Sequence, residues 1–207
     1  PIAVSILLAS FFGLLRSEFL GLRWSSIDFQ TGWLEISTTV VKEMHGSKLV
    51  SAVRDNTTKT DYSERRLPLC QYSYQYLWNL RQRQLAQAKM CGEMYNREYM
   101  DFVCVDTMGN LLKPDFITGK FPKLLEKYQL RKIRFHDLRH SCATIMLYLG
   151  YTLKDIQTWL GHSNYNFTAD TYIHSAPSSH QAMASSLAAH LPSVQPTIFP
   201  YVQKEDR

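Results

Sequence analysis

Several stretches of the chain carry side chains of the kinds that bind and attack phosphate esters. His136 and Arg139 are three residues apart and His140 follows, so the three share one face if this stretch is helical. A helix N-terminus favours anions, and a histidine and an arginine placed there can hold a phosphate group. The same residues also fit a self-capping helix, a patch of surface charge, or a metal site, although no Glu follows the first His as a zincin motif requires.

A further histidine and a tyrosine lie downstream. His162 follows Leu160 and Gly161, where the glycine permits a sharp helix end, and Tyr172 comes ten residues later. A tyrosine phenol is a competent covalent nucleophile, but attack on phosphorus needs nearby cations to stabilise the developing oxyanion charge. Taken singly, each residue more often has a structural role, above all a tyrosine on an apolar helix.

The polar stretch that contains Lys59 is typical of a basic β-hairpin. It runs on through Arg65 and Arg66 into Pro68 and Leu69. A lysine at such a tip is usually just exposed, but it can also donate a proton to a leaving oxygen.

Composition narrows the class of protein without deciding it. With 207 residues and 45% apolar content, the chain is long enough to bury a core in one domain without disulfide or metal staples. Its four cysteines form no CxxC pair, which indicates reduced thiols in the cytoplasm. Between residues 113 and 140, eight Lys or Arg face three acids, a pattern of either a solvated helix face or a phosphate-binding surface.

Hydrophobic periodicity predicts a mixed α+β fold that is mostly helical, with a small three-stranded antiparallel sheet. Strands are predicted at 33–41, 49–53 and 65–69, with a polar loop at 54–64. Helices are predicted at 2–12, 16–22, 72–90, 114–128, 135–149, 152–160, 167–173 and 181–191. The proline-containing tail at 192–207 is expected to be flexible.

Together and in this order, the motifs resemble the tyrosine recombinase (phage integrase) family. His-x-x-Arg, then Leu-Gly-His, then Tyr172 are similar to the family's signature, and Gly13 to Asp28 is similar to its first conserved box. The resemblance implies a tyrosine recombinase catalytic-domain fold over 1–176, followed by a C-terminal helix and flexible tail over 177–207. The family's N-terminal DNA-binding domains are expected to be absent from this chain.

The resemblance implies site-specific DNA recombination or integration through a 3′-phosphotyrosyl link at Tyr172. It assigns Arg139 to the phosphate oxygens, His136 and His162 to hydrogen bonding and proton movement, and Lys59 to protonation of the 5′-leaving oxygen. No metal or other cofactor is implied, because cationic side chains stabilise the charge that a metal would stabilise elsewhere. The implied partners are a double-stranded recombination site, further copies of the chain in a tetramer on DNA, and accessory DNA-bending proteins. No membrane partner is implied, and the expected location is cytoplasmic.

One position departs from the family's pattern. The family's first catalytic arginine follows the box glycine as Gly-x-Arg, but here Leu15 holds that place and Arg16 is its neighbour. Adjacent residues differ by about 100° around a helix, so Arg16 cannot simply replace the missing group. A deliberate change, natural degeneration, or a local distortion that brings Arg16 into the site would each explain this.

The departure at position 15 predicts a chain that binds DNA but cleaves it poorly, because losing one transition-state donor typically costs ~10²–10³ in rate. The alternative function is a non-catalytic DNA-binding module derived from a recombinase. Topoisomerase-like relaxation is disfavoured by the Leu-Gly-His box. A metalloenzyme built on His136, His140 and His162 is a minor alternative.

Overall fold

The computed structural model describes residues 1–45, 48–55 and 65–161. The chain begins with helix α1 (Ile2–Phe11), which is apolar on all sides and contributes fully buried side chains such as Leu8 to the core. A turn at Gly13, where φ is +65°, leads into the short helix α2 (Arg16–Gly21). This turn brings the start of α2 back against the core.

The strands form two small antiparallel sheets. One sheet has three strands in the order β1 (Ile27–Asp28), β2 (Trp33–Ile36) and β5 (Arg65–Pro68). The other is a hairpin of β3 (Thr38–His45) and β4 (Lys48–Asp55). The mixed α+β class with a small three-stranded sheet is confirmed.

The strand assignments from the sequence are wrong in detail. The single strand predicted at 33–41 is two strands, β2 and β3, which separate at Ser37 and pair with different partners. The strand predicted at 49–53 belongs to the separate hairpin, and the two-residue β1 completes the three-stranded sheet instead. Arg54 and Asp55, predicted to lie in a loop, are the last residues of β4.

The remaining described helices match their predicted bounds within two residues. They are α3 (Gln71–Cys91), α4 (Pro114–Lys127), α5 (Asp137–Tyr148) and α6 (Leu153–Leu160). Single turns of 3₁₀ helix lie between α2 and β1, at Trp24–Ser26, and directly after α3, at Gly92–Met94. None of the described helices combines the length and apolar character needed to cross a membrane. The helices predicted at 167–173 and 181–191, the flexible tail and the domain boundary at 176 all lie outside the described residues.

Apolar side chains in the core pack several of these helices against one another. Helix α1 packs against α5, and a smaller apolar cluster of Cys142, Ala143, Ile156 and Leu160 joins α5 to α6. At Gly13 a Cβ atom would lie 2.2 Å from the Leu160 side chain, so only glycine allows this close approach. The turn before α2 and the C-terminal end of α6 are therefore in direct contact.

Candidate active site

A cleft of about 420 Å³ lies where the first residues of α2 and α5 meet α4. Its lining residues are Leu14, Leu15, Arg16, Ser17, Ile117, Thr118, Phe135, His136 and Arg139. This volume lies within the range of ligand-binding sites, about 300–1,000 Å³. The cleft thus brings the predicted His-x-x-Arg motif together with Leu15, the residue at which the sequence departs from the family's pattern.

Leu15 and Arg16 both border this cleft. Leu15 precedes the helix, in an extended conformation with φ −67° and ψ 155°, and its side chain is exposed. The separation of about 100° between neighbours on a helix does not apply to this pair, because Leu15 precedes the helix. The Arg16 guanidinium donates a hydrogen bond of 3.0 Å to the Thr118 hydroxyl across the cleft wall.

Arg139 is held from two sides by backbone carbonyls. Its side chain is 3% exposed, and a buried guanidinium requires hydrogen-bond acceptors. One Nη donates to the carbonyl of Gly13, and the other donates to the carbonyl of Leu160 at 2.9 Å. Arg139 lines the cleft, and its guanidinium is fixed by both the α2 turn and the end of α6.

His136 is the N-cap residue of α5, so it lies at the positive end of that helix dipole. Its ring packs edge-on against His140, with 5.0 Å between the ring centroids. Desolvation lowers the pKa of His136 below its usual value, and the neighbouring His140 and Arg139 lower it further. His136 therefore holds its proton less tightly than an ordinary histidine, and an anion in the cleft would favour its protonated form.

A buried ion pair joins the start of α2 to β5 and to the end of α6. Arg65 donates from both Nη atoms to the two carboxylate oxygens of Glu18, each at 3.0 Å. The Glu18 carboxylate also accepts a hydrogen bond of 2.8 Å from the Leu15 backbone N–H. The Arg65 Nε donates to the carbonyl of Trp159 at 2.8 Å.

The basic stretch counted along the sequence is not one surface. Seven of its eight Lys and Arg side chains are exposed, and the exception is the buried Arg139. Lys120 and Lys127 lie roughly half a turn around α4 from Thr118, and neither lines the cleft. Arg131 and Lys132 are exposed in the segment that leads to the cleft. Only part of the positive charge is therefore placed to meet a ligand there.

The structure brings together three of the predicted site residues: Arg139, His136 and Arg16. Lys59, His162 and Tyr172 lie outside the described residues, so their roles stay predictions. Within residues 1–45, 48–55 and 65–161, no group of three or more His, Cys, Asp or Glu side chains is arranged to hold a metal ion.

Sequence reasoning missed Thr118 and Arg65 at this site. Nothing local distinguishes Thr118, because its contact with Arg16 spans 102 residues. Arg65 had a signal, since strand alternation places it on the same buried face as Leu67. A charged side chain on a buried face requires a buried partner, and that partner is Glu18.

Comparison with known proteins agrees with this architecture. Residues 2–179 match the phage integrase family. A tyrosine recombinase XerC-like protein of Caldanaerobacter subterraneus subsp. tengcongensis is 30% identical over 177 residues, which cover 83% of this chain and 45% of that protein. The ICEBs1 integrase of Bacillus subtilis is 26% identical over 175 residues, with coverage of 84% and 45%. The chain thus spans about half the length of these relatives.

Solved structures show the same fold. The Tn1549 transposon integrase in complex with circular intermediate DNA superposes with a TM-score of 0.70 at 24% identity, over 90% of this chain and 59% of that one. The XerA recombinase superposes with a TM-score of 0.58 at 20% identity, over 93% and 58%. The fold is that of tyrosine recombinase catalytic domains. The chain belongs to the phage integrase family.

Proposed function

We propose that this chain is the catalytic domain of a site-specific DNA recombinase, and that the cleft between α2 and α5 receives the scissile phosphate. The observation that carries the proposal is the common cleft of Arg16, His136 and Arg139 at the N-terminus of α5. Two guanidinium groups and an imidazole around one space match the demands of a phosphate in its pentacovalent transition state.

In the proposed reaction the Tyr172 phenol passes its proton to His136 or His162, its oxygen attacks phosphorus, and the bond to the 5′-oxygen breaks. The leaving oxygen takes its proton from Lys59, and a 3′-phosphotyrosyl bond remains. A 5′-hydroxyl of another strand then attacks the same phosphorus and releases the tyrosine, so the number of phosphodiester bonds is unchanged. Arg139, and Arg16 beside it, stabilise the charge on the nonbridging oxygens in both steps.

The integrase and recombinase relatives support DNA as the partner, and complexes of the Tn1549 integrase with DNA support it further. The tetramer on DNA, the accessory DNA-bending proteins and the cytoplasmic location stay predictions from the family resemblance. So does the division into a catalytic domain over 1–176 and a C-terminal segment over 177–207.

Leu15 also favours a second function, a DNA-binding module that no longer catalyses. A leucine in the family's first arginine position removes one guanidinium from the cleft, while the fold and the exposed Arg131 and Lys132 remain. This function predicts DNA binding without a covalent adduct, even after an arginine is placed at position 15.

A nicked suicide substrate that carries the recombination site of the encoding element separates the two functions. The chain, Leu15→Arg, and Leu15→Arg with Tyr172→Phe are each incubated with it and resolved on a denaturing gel. A covalent protein–DNA band with Leu15→Arg that disappears with Tyr172→Phe supports the recombinase. If Leu15→Arg binds the substrate but forms no adduct, the binding module is favoured.

A further inference from the structure

The buried ion pair of Arg65 and Glu18 touches three segments that carry predicted catalytic residues. Glu18 accepts the Leu15 N–H at the start of α2, where Arg16 enters the cleft. Arg65 opens β5, six residues after Lys59. Its Nε binds the carbonyl of Trp159, three residues before His162.

The geometry of this contact leaves Arg65 little freedom. Its side chain is 5% exposed and that of Glu18 is 6% exposed, so water does not compete for the bonds between them. A planar guanidinium that donates from Nε and both Nη atoms is fixed in position and direction. Lysine carries the same charge but cannot make three such bonds in one plane.

We propose that Arg65 is a positioning residue for strand cleavage, acting through the Glu18 carboxylate and the Trp159 carbonyl. It sets the start of α2 and the end of α6 relative to each other, and its own strand anchors the chain just after Lys59. This inference rests on the proposed recombinase function. Displacements of about 1 Å can cost about 10²-fold in rate. The Arg65–Glu18 pair therefore acts on the rate of the cleavage step more than on DNA affinity.

A purely structural ion pair makes a different prediction. Replacing both members of a buried pair by apolar residues of similar volume is often neutral for stability, whereas removing one member leaves an uncompensated charge. A structural pair can therefore be replaced by two methionines without loss of activity. A positioning pair cannot, because methionine bonds neither the Leu15 N–H nor the Trp159 carbonyl.

The test uses the full chain with Leu15→Arg as the parent. Arg65→Met and the double variant Glu18→Met/Arg65→Met are compared with the control Arg66→Met. Arg66 is the next residue of β5 and lies on its exposed face, with its guanidinium 5.8 Å from the Trp33 ring centroid. The measurements are the melting temperature, the DNA dissociation constant, the single-turnover rate of adduct formation, and hydrogen exchange of the Leu15 and Gly161 amides.

We expect the double variant to melt near the parent and bind DNA as tightly, but to form adduct about 10²-fold more slowly. We also expect faster exchange at both amides in the double variant, with the Arg66→Met control matching the parent throughout. A stable double variant with the parent's adduct rate, or with unchanged exchange at both amides, overturns the proposal. If the parent forms no adduct, the recombinase function fails, and the exchange measurement still decides whether Arg65 positions the two segments.

Discussion

The Arg139 guanidinium and the Gly13 carbonyl are joined by a hydrogen bond that spans 126 residues of sequence. The same guanidinium binds the Leu160 carbonyl at 2.9 Å. The position of the buried Arg139 side chain therefore depends on the turn before α2 and on the end of α6. The integrity of that junction is the first property to test.

Gly13→Ala should destabilise the chain by about 1–3 kcal/mol, as overpacking of a filled core does. The new Cβ would lie 2.2 Å from the Leu160 side chain, at a backbone φ of +65° that disfavours alanine. Urea unfolding measures the effect. The control is Gly119→Ala in the exposed middle of α4, where a Cβ meets nothing within 4 Å. There we expect stabilisation of up to about 1 kcal/mol, and equal effects at the two sites would contradict the close approach at Gly13.

Thr152→Ala should lower the free energy of unfolding by about 0.5–2 kcal/mol, because Thr152 caps α6. Its hydroxyl accepts from the Asp155 N–H at 3.1 Å, and its own N–H donates to the Asp155 carboxylate at 2.9 Å. Thr158→Ala is the matched control, since that hydroxyl is exposed and bonds only the Lys154 carbonyl within the helix. A loss at Thr158 as large as that at Thr152 would count against the cap.

Stability should rise with pH through the range just below the ordinary histidine pKa of 6.5, partly because of His136. Burial and the adjacent positive charges lower the folded-state pKa of His136, so the unfolded chain binds the proton more readily. Its contribution is complete above 6.5 and is lost as the pH falls through the lowered value. Melting temperatures between pH 7 and pH 5 should therefore fall less steeply for His136→Gln than for the parent. An identical pH dependence in both chains would refute this account of His136.

Arg131→Gln combined with Lys132→Gln should weaken duplex DNA binding and make it less salt-dependent. Each lost phosphate contact reduces the slope of log K against log salt by about 0.9. The control, Lys120→Gln with Lys127→Gln, removes the same charge from the face of α4 that points away from Thr118. Equal changes in slope for the two pairs would show that net charge, rather than the approach to the cleft, determines binding.

The parts of the fold that follow from local signals were predictable from the sequence. Thr152 and Gly161 bracket α6 as a cap and a left-handed end, and each acts on atoms within a few residues. The error at Ser37 has a different origin, because the β-forming residues run on continuously while the pairing partner changes. Strand pairing depends on residues far along the chain, which local propensity does not encode.

The residue types of the candidate site could be predicted from the sequence, but the contacts that these residues make could not. His136 and Arg139 share a cleft as their spacing indicated, but the burial of Arg139 comes from carbonyls more than twenty residues away in sequence. Arg16 lines the cleft beside Leu15, which precedes α2 instead of lying within it.

The central claim is that the cleft holds the scissile phosphate and that Arg16 supplies part of the charge stabilisation that an arginine at position 15 would supply. The direct measurement is the single-turnover rate of adduct formation for four chains: the parent, Arg16→Ala, Leu15→Arg, and the double variant. We expect Leu15→Arg to raise the rate by about 10-fold and Arg16→Ala to lower it by about as much in the parent, so that the two steps together match the ~10² of one lost donor. With arginine at position 15, Arg16→Ala should have little effect. If Arg16→Ala leaves the rate unchanged in the parent and Leu15→Arg does not raise it, the phosphate does not bind in this cleft.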